Sequence, residues 1–80
     1  MSDAEILERL QATLVEEFQA APEAVVPGAH LRADLGFDSL TLTDLAFLVQ
    51  GDFGFKATAE DFRDVRTVGD LASLISRHVG

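Results

Sequence analysis

The sequence predicts an all-α protein, a small four-helix bundle with a long first loop and a short third helix. Apolar residues recur at intervals of three and four in three long segments, which is typical of one buried face of a helix. The alternation of polar and apolar residues that indicates a half-buried strand is missing throughout. With 80 residues, 48% of them hydrophobic, the chain is predicted to form one domain over residues 1–80.

The first helix is predicted to run from Asp3 to about Phe18. Ser2 or Asp3 can cap it, because small polar side chains accept hydrogen bonds from the free N–H groups of a first turn. Its apolar stripe consists of Ile6, Leu7, Leu10, Leu14 and Phe18.

A long loop follows the first helix. Pro22, Pro27 and Gly28 interrupt any helical pattern there. A loop of this length in so small a domain needs apolar anchors if it is ordered. The residues expected to anchor it to the core are Val25, Val26 and Leu31.

The second helix is predicted to begin at Asp38 or Ser39 and to continue to about Phe53. Gly54 is expected to end it, since glycine commonly follows the last helical residue. The residues expected on its buried face are Leu42, Leu45, Ala46, Val49 and Phe53.

The third helix is short, from Ala59 to Arg63, with Thr58 as its cap and Phe62 as its contact with the core. The fourth begins after Thr67, and a cation and a histidine near its end suit the negative pole of a helix. Its apolar side consists of Val68, Leu71, Leu74, Ile75 and Val79.

The formal net charge of −8 makes nucleic acid a poor partner, because few cations are available to neutralise phosphates. A basic protein surface is the expected partner instead. No apolar run is long enough to span a membrane, and the amino terminus is acidic where a signal peptide would be basic. We therefore expect a cytoplasmic protein that does not engage a membrane.

Several kinds of active site are disfavoured by the sequence. There is no cysteine for a disulfide or a thiolate metal site, and the two histidines, His30 and His78, are far apart. Asp34 and Asp38 are four residues apart, but a hydrolase built on paired carboxylates also needs a substrate cleft, which this length hardly permits. The sequence predicts no metal and no enzyme.

Ser39 stands where the long loop becomes the second helix, between Asp38 and Leu40. Asp-Ser before an apolar helix is a common capping arrangement, and by itself indicates no function. The amino end of a helix also favours an anion, so a phosphodiester on this serine would lie in a favourable place. Without catalytic partners, the serine is better suited to attachment than to catalysis.

The segment Asp34-Leu35-Gly36-Phe37-Asp38-Ser39-Leu40 resembles the corresponding segment of the acyl carrier proteins. These small acidic four-helix proteins carry a 4'-phosphopantetheine arm on the serine of a D-S-L motif. Asp52-Phe53-Gly54-Phe55 is similar to the family's segment at the end of the second helix, and Thr67-Val68-Gly69-Asp70-Leu71 to its opening of the fourth. The resemblance covers nearly the whole chain.

The resemblance implies that Ser39 carries the 4'-phosphopantetheine arm, with Asp38 and Leu40 as its flanking motif residues. A phosphopantetheinyl transferase would supply the arm from coenzyme A, and acyl groups would be carried as thioesters on its terminal thiol. The other implied partners are ketosynthases, acyltransferases or other synthase-pathway enzymes with basic docking surfaces. The carrier is expected to be discrete and monomeric.

The second helix is the docking surface in the resembled family. Leu40, Asp44 and Phe47 lie on a face of this helix that differs from its core stripe. The resemblance implies that they contact partner enzymes, while burial of Phe47 against the first loop is the alternative.

The second helix departs from the pattern of fatty-acid carriers, because Thr41, Gln50 and Gly51 stand where those proteins often have acids. A polyketide-type pathway is therefore favoured, with fatty acid biosynthesis still open. A peptidyl carrier is the next alternative, although such carriers usually have histidine where Asp38 stands. A helical adaptor without the arm is an alternative of a different class.

The core faces of the second and fourth helices are expected to part and enclose an acyl chain. Ordinary core packing is the alternative for each residue. The residues expected to line this pocket are Ala46, Val49, Phe53, Phe62, Val65, Leu71 and Ile75.

Overall fold

A computed structural model describes residues 2–79 and confirms the predicted bundle. Helix α1 spans Asp3–Phe18, α2 spans Ser39–Phe53, α3 spans Ala59–Phe62 and α4 spans Val68–Val79. The long first loop contains a single 3-10 turn, Pro22–Ala24. Over these residues the β-structure is limited to one isolated bridge, and the helices include none long and apolar enough to cross a membrane.

The core is built mainly where α1 packs against α4. Ser2 caps α1, since its hydroxyl accepts the N–H of Glu5 at 3.2 Å. Ile6, Leu10 and Leu14 are fully buried along one side of α1, as the spacing predicts. The facing residues of α4 that are buried are Val68, Leu71, Ala72, Leu74 and Ile75.

The buried face of α2 is narrower than the sequence predicts. Leu45, Val49 and Phe53 are buried, whereas Leu42 and Ala46 are only half-buried. Helical spacing places all five residues on one side, but the short α3 does not cover that side completely. Leu42 packs at the margin of the core, and both Leu42 and Ala46 border open space.

The carboxyl end of α2 is joined to α1 by contacts around Arg9. Its guanidinium lies 4.7 Å from the centre of the Phe53 ring and donates a hydrogen bond of 3.0 Å to the carbonyl of Asp52. Thr13 donates a second bond of 3.0 Å to the Asp52 carboxylate. Gly54 ends the helix at a φ of 69°, in the left-handed region that glycine adopts without strain.

Two of the three predicted loop anchors are confirmed. Val25 and Leu31 are buried, but Val26 is 49% exposed, so its prediction is wrong. The chain turns at this point, with the carbonyl of Val26 accepting the N–H of Ala29 at 2.9 Å. Neighbouring side chains cannot both face the core across such a turn, and the side chain of Val26 faces solvent.

Backbone hydrogen bonds fasten the long loop to the start of α4. Three bonds join residues 27–31 to residues 66–69, with N···O distances from 2.8 to 3.0 Å. The shortest is donated by Gly69 to the carbonyl of Pro27. These bonds order the loop at its midpoint, only a few residues before α2 begins.

Asp70 holds the turn that enters α4. Its carboxylate accepts the N–H groups of Arg66 and Thr67, each at 3.1 Å, and its own N–H donates to the Thr67 hydroxyl at 3.0 Å. The bonds from Arg66 and Thr67 lower the pKa of Asp70, because they stabilise the ionised carboxylate. The long loop therefore packs against a turn that is itself held by the side chain of Asp70.

Gly69→Ala is expected to lower the free energy of unfolding, because an added Cβ would lie 2.9 Å from the carbonyl oxygen of Pro27. The cost of such crowding, about 1–3 kcal/mol, opposes the helix propensity that alanine gains. Gly51→Ala is the matched control, since its Cβ would meet no atom within 4 Å, and it should stabilise the protein by about 1 kcal/mol. Urea unfolding measures both changes, and equal stabilisation by the two variants would contradict the close approach at Gly69.

Candidate functional site

A compact turn over residues 30–37 leads the chain into α2. The Asp34 carboxylate accepts the N–H of His30 at 2.7 Å and so closes the turn. Gly36 allows the chain to reverse, because its φ is 72°. Phe37 is buried after it, and its ring centre lies 5.6 Å from that of Phe18. The residues just after Phe37 are thereby placed at the surface next to a fixed aromatic anchor.

Asp38 caps α2. Its carboxylate accepts the N–H of Thr41 at 2.8 Å, and the bonds from Thr41 lower the pKa of this group. This carboxylate is directed to Thr41, and Asp38 therefore acts as a helix cap.

Ser39 is the first residue of α2, and its side chain is exposed. Its hydroxyl oxygen accepts a hydrogen bond of 2.6 Å from an Nη of Arg32. The amino end of this 15-residue helix favours negative charge. An anionic group esterified to this oxygen therefore fits the site, since the hydroxyl is accessible and positive charge lies beside it.

The contact between Arg32 and the Ser39 hydroxyl was missed by sequence reasoning. Arg32 lies in a loop, seven residues before the serine, where no periodicity reports which side chains meet. The turn over residues 30–37 brings the two together. The sequence shows an arginine seven residues before Ser39, but this spacing does not indicate that the two side chains meet.

The outer face of α2 exposes two large apolar side chains. Leu40 is 73% exposed and Phe47 is 74% exposed, and Asp44 is exposed between them. The sequence expectation that Phe47 avoids the core is confirmed, and its burial against the first loop is not observed. An exposed apolar pair beside a carboxylate is suited to contact with another protein.

A groove of about 400 Å³ lies between α2 and α3. Gln50 bridges its far end, accepting the N–H of Ala57 at 3.0 Å and donating to the carbonyl of Ala46 at 2.9 Å. Helix α3 begins with a capping box between Thr58 and Asp61. The groove is lined by Leu42, Thr43, Ala46, Phe47, Gln50, Ala57, Thr58, Ala59, Phe62 and Arg63.

A small cavity of about 60 Å³ lies behind this groove. Leu42, Ala46 and Phe62 line both spaces and form the wall between them. Of the residues expected to line a pocket, Ala46, Phe62, Val65 and Leu71 border the small cavity.

Val49, Phe53 and Ile75, also expected to line a pocket, are instead packed in the core cluster and border neither space. Sequence reasoning assigned the core stripe of α2 to the pocket. The structure places the open space on the half-buried edge of that stripe, next to α3. Across residues 2–79, no group of three or more His, Cys, Asp or Glu side chains is placed to hold a metal ion.

The chain is similar to known proteins over most of its length. Residues 8–75 match the family model described as the phosphopantetheine attachment site. The chain is 40% identical over 75 residues to "Acyl carrier protein 2" of Ralstonia nicotianae, a match that covers 94% of this chain and 93% of that protein.

The fold is also that of a solved acyl carrier protein from Enterococcus faecalis. The TM-score is 0.78 at 22% identity, and the match covers 96% of this chain and 98% of that one. The family model and the Ralstonia relative each span most of the chain. The chain therefore belongs to the acyl carrier proteins, the non-catalytic carriers whose cofactor is 4'-phosphopantetheine.

Proposed function

We propose that Ser39 is the residue that carries the 4'-phosphopantetheine arm, and that the protein transports acyl intermediates as thioesters on it. The observation that carries this proposal is the exposed Ser39 hydroxyl at the start of α2, within the matched residues 8–75. Over residues 2–79, the hydrogen bond to this hydroxyl oxygen comes from Arg32, a cation, and the nearby Asp38 carboxylate is bonded to Thr41. Activation of the serine is therefore left to a phosphopantetheinyl transferase.

The pathway is proposed to be of the polyketide type, with fatty acid biosynthesis as the alternative. Thr41, Gln50 and Gly51 are uncharged positions on α2, so the acidic surface of this helix is thin. Gln50 is committed to bridging α2 to the segment before α3. A thin acidic surface favours dedicated partner enzymes, because fewer charges are available to attract a general one.

Leu40, Asp44 and Phe47 are proposed to form the docking surface for the transferase and for synthase enzymes such as ketosynthases and acyltransferases. Exposed apolar residues supply the central contact of an interface, and charges at its rim steer the encounter. The net charge of −8 suits basic surfaces on these enzymes.

The groove between α2 and α3 is proposed to receive the acyl chain. Its walls include Leu42, Ala46 and Phe62, and it opens on the side of α2 that also carries Phe47. A short apolar chain can be removed from water there without disturbing the packed core of Val49, Phe53 and Ile75.

Ser39→Ala is expected to abolish modification. Incubation with coenzyme A, magnesium and a promiscuous phosphopantetheinyl transferase should add the mass of one phosphopantetheine to the native protein, read by intact-mass spectrometry. Ser73→Ala is the matched control, because Ser73 is an exposed serine on α4 and should leave the mass gain intact. No mass gain by the folded native protein with several transferases would instead favour a helical adaptor without the arm.

Phe47→Ala is expected to raise the KM of the transferase for this carrier by about fivefold, as removal of a central apolar contact does in other interfaces. Asp44→Asn should lower kcat/KM by roughly two- to threefold at low salt and less at high salt. Val26→Ala and Asp64→Asn are the controls, since both residues are exposed outside α2. If Val26→Ala and Asp64→Asn changed the kinetic constants of the transferase as much as Phe47→Ala and Asp44→Asn, docking through α2 would be refuted.

Ala46→Phe is expected to remove the stabilisation that an acyl chain provides, because the ring would fill the groove. The measurement compares melting temperatures of the protein carrying the bare arm and arms loaded with saturated chains of increasing length. In the native protein the melting temperature should rise with chain length by roughly 4–8 °C per kcal/mol of burial. Ala12→Phe, at an exposed position of α1, should keep this rise. A length-independent melting temperature in the native protein would contradict sequestration.

A further inference from the structure

The side chain of Arg32 is aimed at the oxygen proposed to carry the arm. An Nη of Arg32 lies 2.6 Å from the Ser39 oxygen, and both side chains are exposed. One Nη of the guanidinium donates this hydrogen bond to a neutral hydroxyl. A guanidinium has five N–H donors in a planar fork. The contact leaves donors of Arg32 available to an anion.

Modification of Ser39 would place an anion within reach of this fork. The phosphorus of the arm would be bonded to the same oxygen that Arg32 now contacts, and the non-bridging oxygens lie one bond beyond the phosphorus. The oxygen would lose its proton to the transferase but the guanidinium would keep all of its donors. A guanidinium pairs with phosphate oxygens through two parallel hydrogen bonds, which are stronger than a bond to a neutral acceptor.

The surroundings of Arg32 are cationic, in contrast to the chain as a whole. Arg32, Arg63 and Arg66 line one cavity of about 420 Å³, together with His30. These are three of the six lysine and arginine residues in a chain of net charge −8. Leu42 and Phe62 form an apolar part of the same lining. The cavity lining therefore combines three arginines with an apolar wall, and Arg32 is the lining residue that also contacts Ser39.

A competing negative charge close to this contact is that of Asp38. Its carboxylate accepts the N–H of Thr41, and Arg32 contributes to lowering its pKa. Asp38 is thus already satisfied as the helix cap. A phosphodiester on Ser39 would add a second negative charge next to it, and a cation is needed there to offset the repulsion.

We propose that Arg32 binds the phosphodiester of the arm once Ser39 is modified, and so holds the root of the arm over the cavity lined by Arg63 and Arg66. This inference rests on the proposed function of Ser39. Arg32 is a positioning residue: it directs the first atoms of the arm toward this cavity. Because the pair is exposed, its strength depends on ionic strength.

The experiment compares apo and holo forms of the native protein, Arg32→Gln and Arg66→Gln. Arg66→Gln is the matched control, because it removes one charge from the same cavity while the Ser39 hydroxyl is bonded to Arg32. Intact mass first establishes that each protein has gained one phosphopantetheine. The readouts are the ³¹P resonance of the arm, the Nε–H resonance of Arg32 and the difference in melting temperature between holo and apo forms.

In the native protein, the Arg32 Nε–H resonance should shift on modification, and added salt should reverse the shift. Arg32→Gln should move the ³¹P resonance and lower the holo-minus-apo difference in melting temperature by roughly 1–5 °C. Arg66→Gln should leave both close to native values.

The inference would be overturned if modification left the Arg32 resonance unshifted. It would also be overturned if Arg32→Gln and Arg66→Gln changed the ³¹P resonance equally, because the phosphate would then respond to the summed electrostatic field of the arginines and not to a contact with Arg32. The Arg32 resonance is read in the native protein, so the test does not depend on the fold of a variant. Failure of the native protein to gain mass would instead overturn the proposed role of Ser39.

Discussion

The docking of the long loop on the start of α4 is the constraint on which the site depends. Residues 27–31 and 66–69 are joined by three backbone hydrogen bonds, which leave no room for a side chain at Gly69. A loop between two helices would otherwise sample many conformations. With its midpoint bonded to α4 and Phe37 buried after it, the loop delivers Ser39 to one place at the surface.

Most of the buried core and the open groove lie on different sides of the molecule. The fully buried side chains lie mainly between α1 and α4, and the contacts of Arg9 and Thr13 join α1 to the end of α2. On the other side, the short α3 covers α2 incompletely and leaves the groove and the small cavity. Open space on that side is compatible with a stable fold because most of the fully buried side chains border neither the groove nor the small cavity.

Positive charge is also concentrated in one part of the molecule. The chain is strongly acidic, yet half of its lysine and arginine residues line one cavity, and one of them, Arg32, contacts Ser39. Long-range attraction to basic enzymes and local attraction to a phosphate can therefore coexist, because the first depends on the net charge and the second on the nearest groups. Both are sensitive to salt, since the side chains involved are exposed.

Local sequence determined the helices, their caps and the position of Ser39, because helical periodicity and capping depend on residues a few positions apart. It also determined that Leu40 and Phe47 lie off the core stripe of α2. Tertiary structure alone decided that Val26 faces solvent, that open space lies beside Ala46 while Val49 is packed, and that Arg32 meets Ser39. Those outcomes depend on how a loop turns and how far α3 covers α2, and periodicity along one helix carries no information about either.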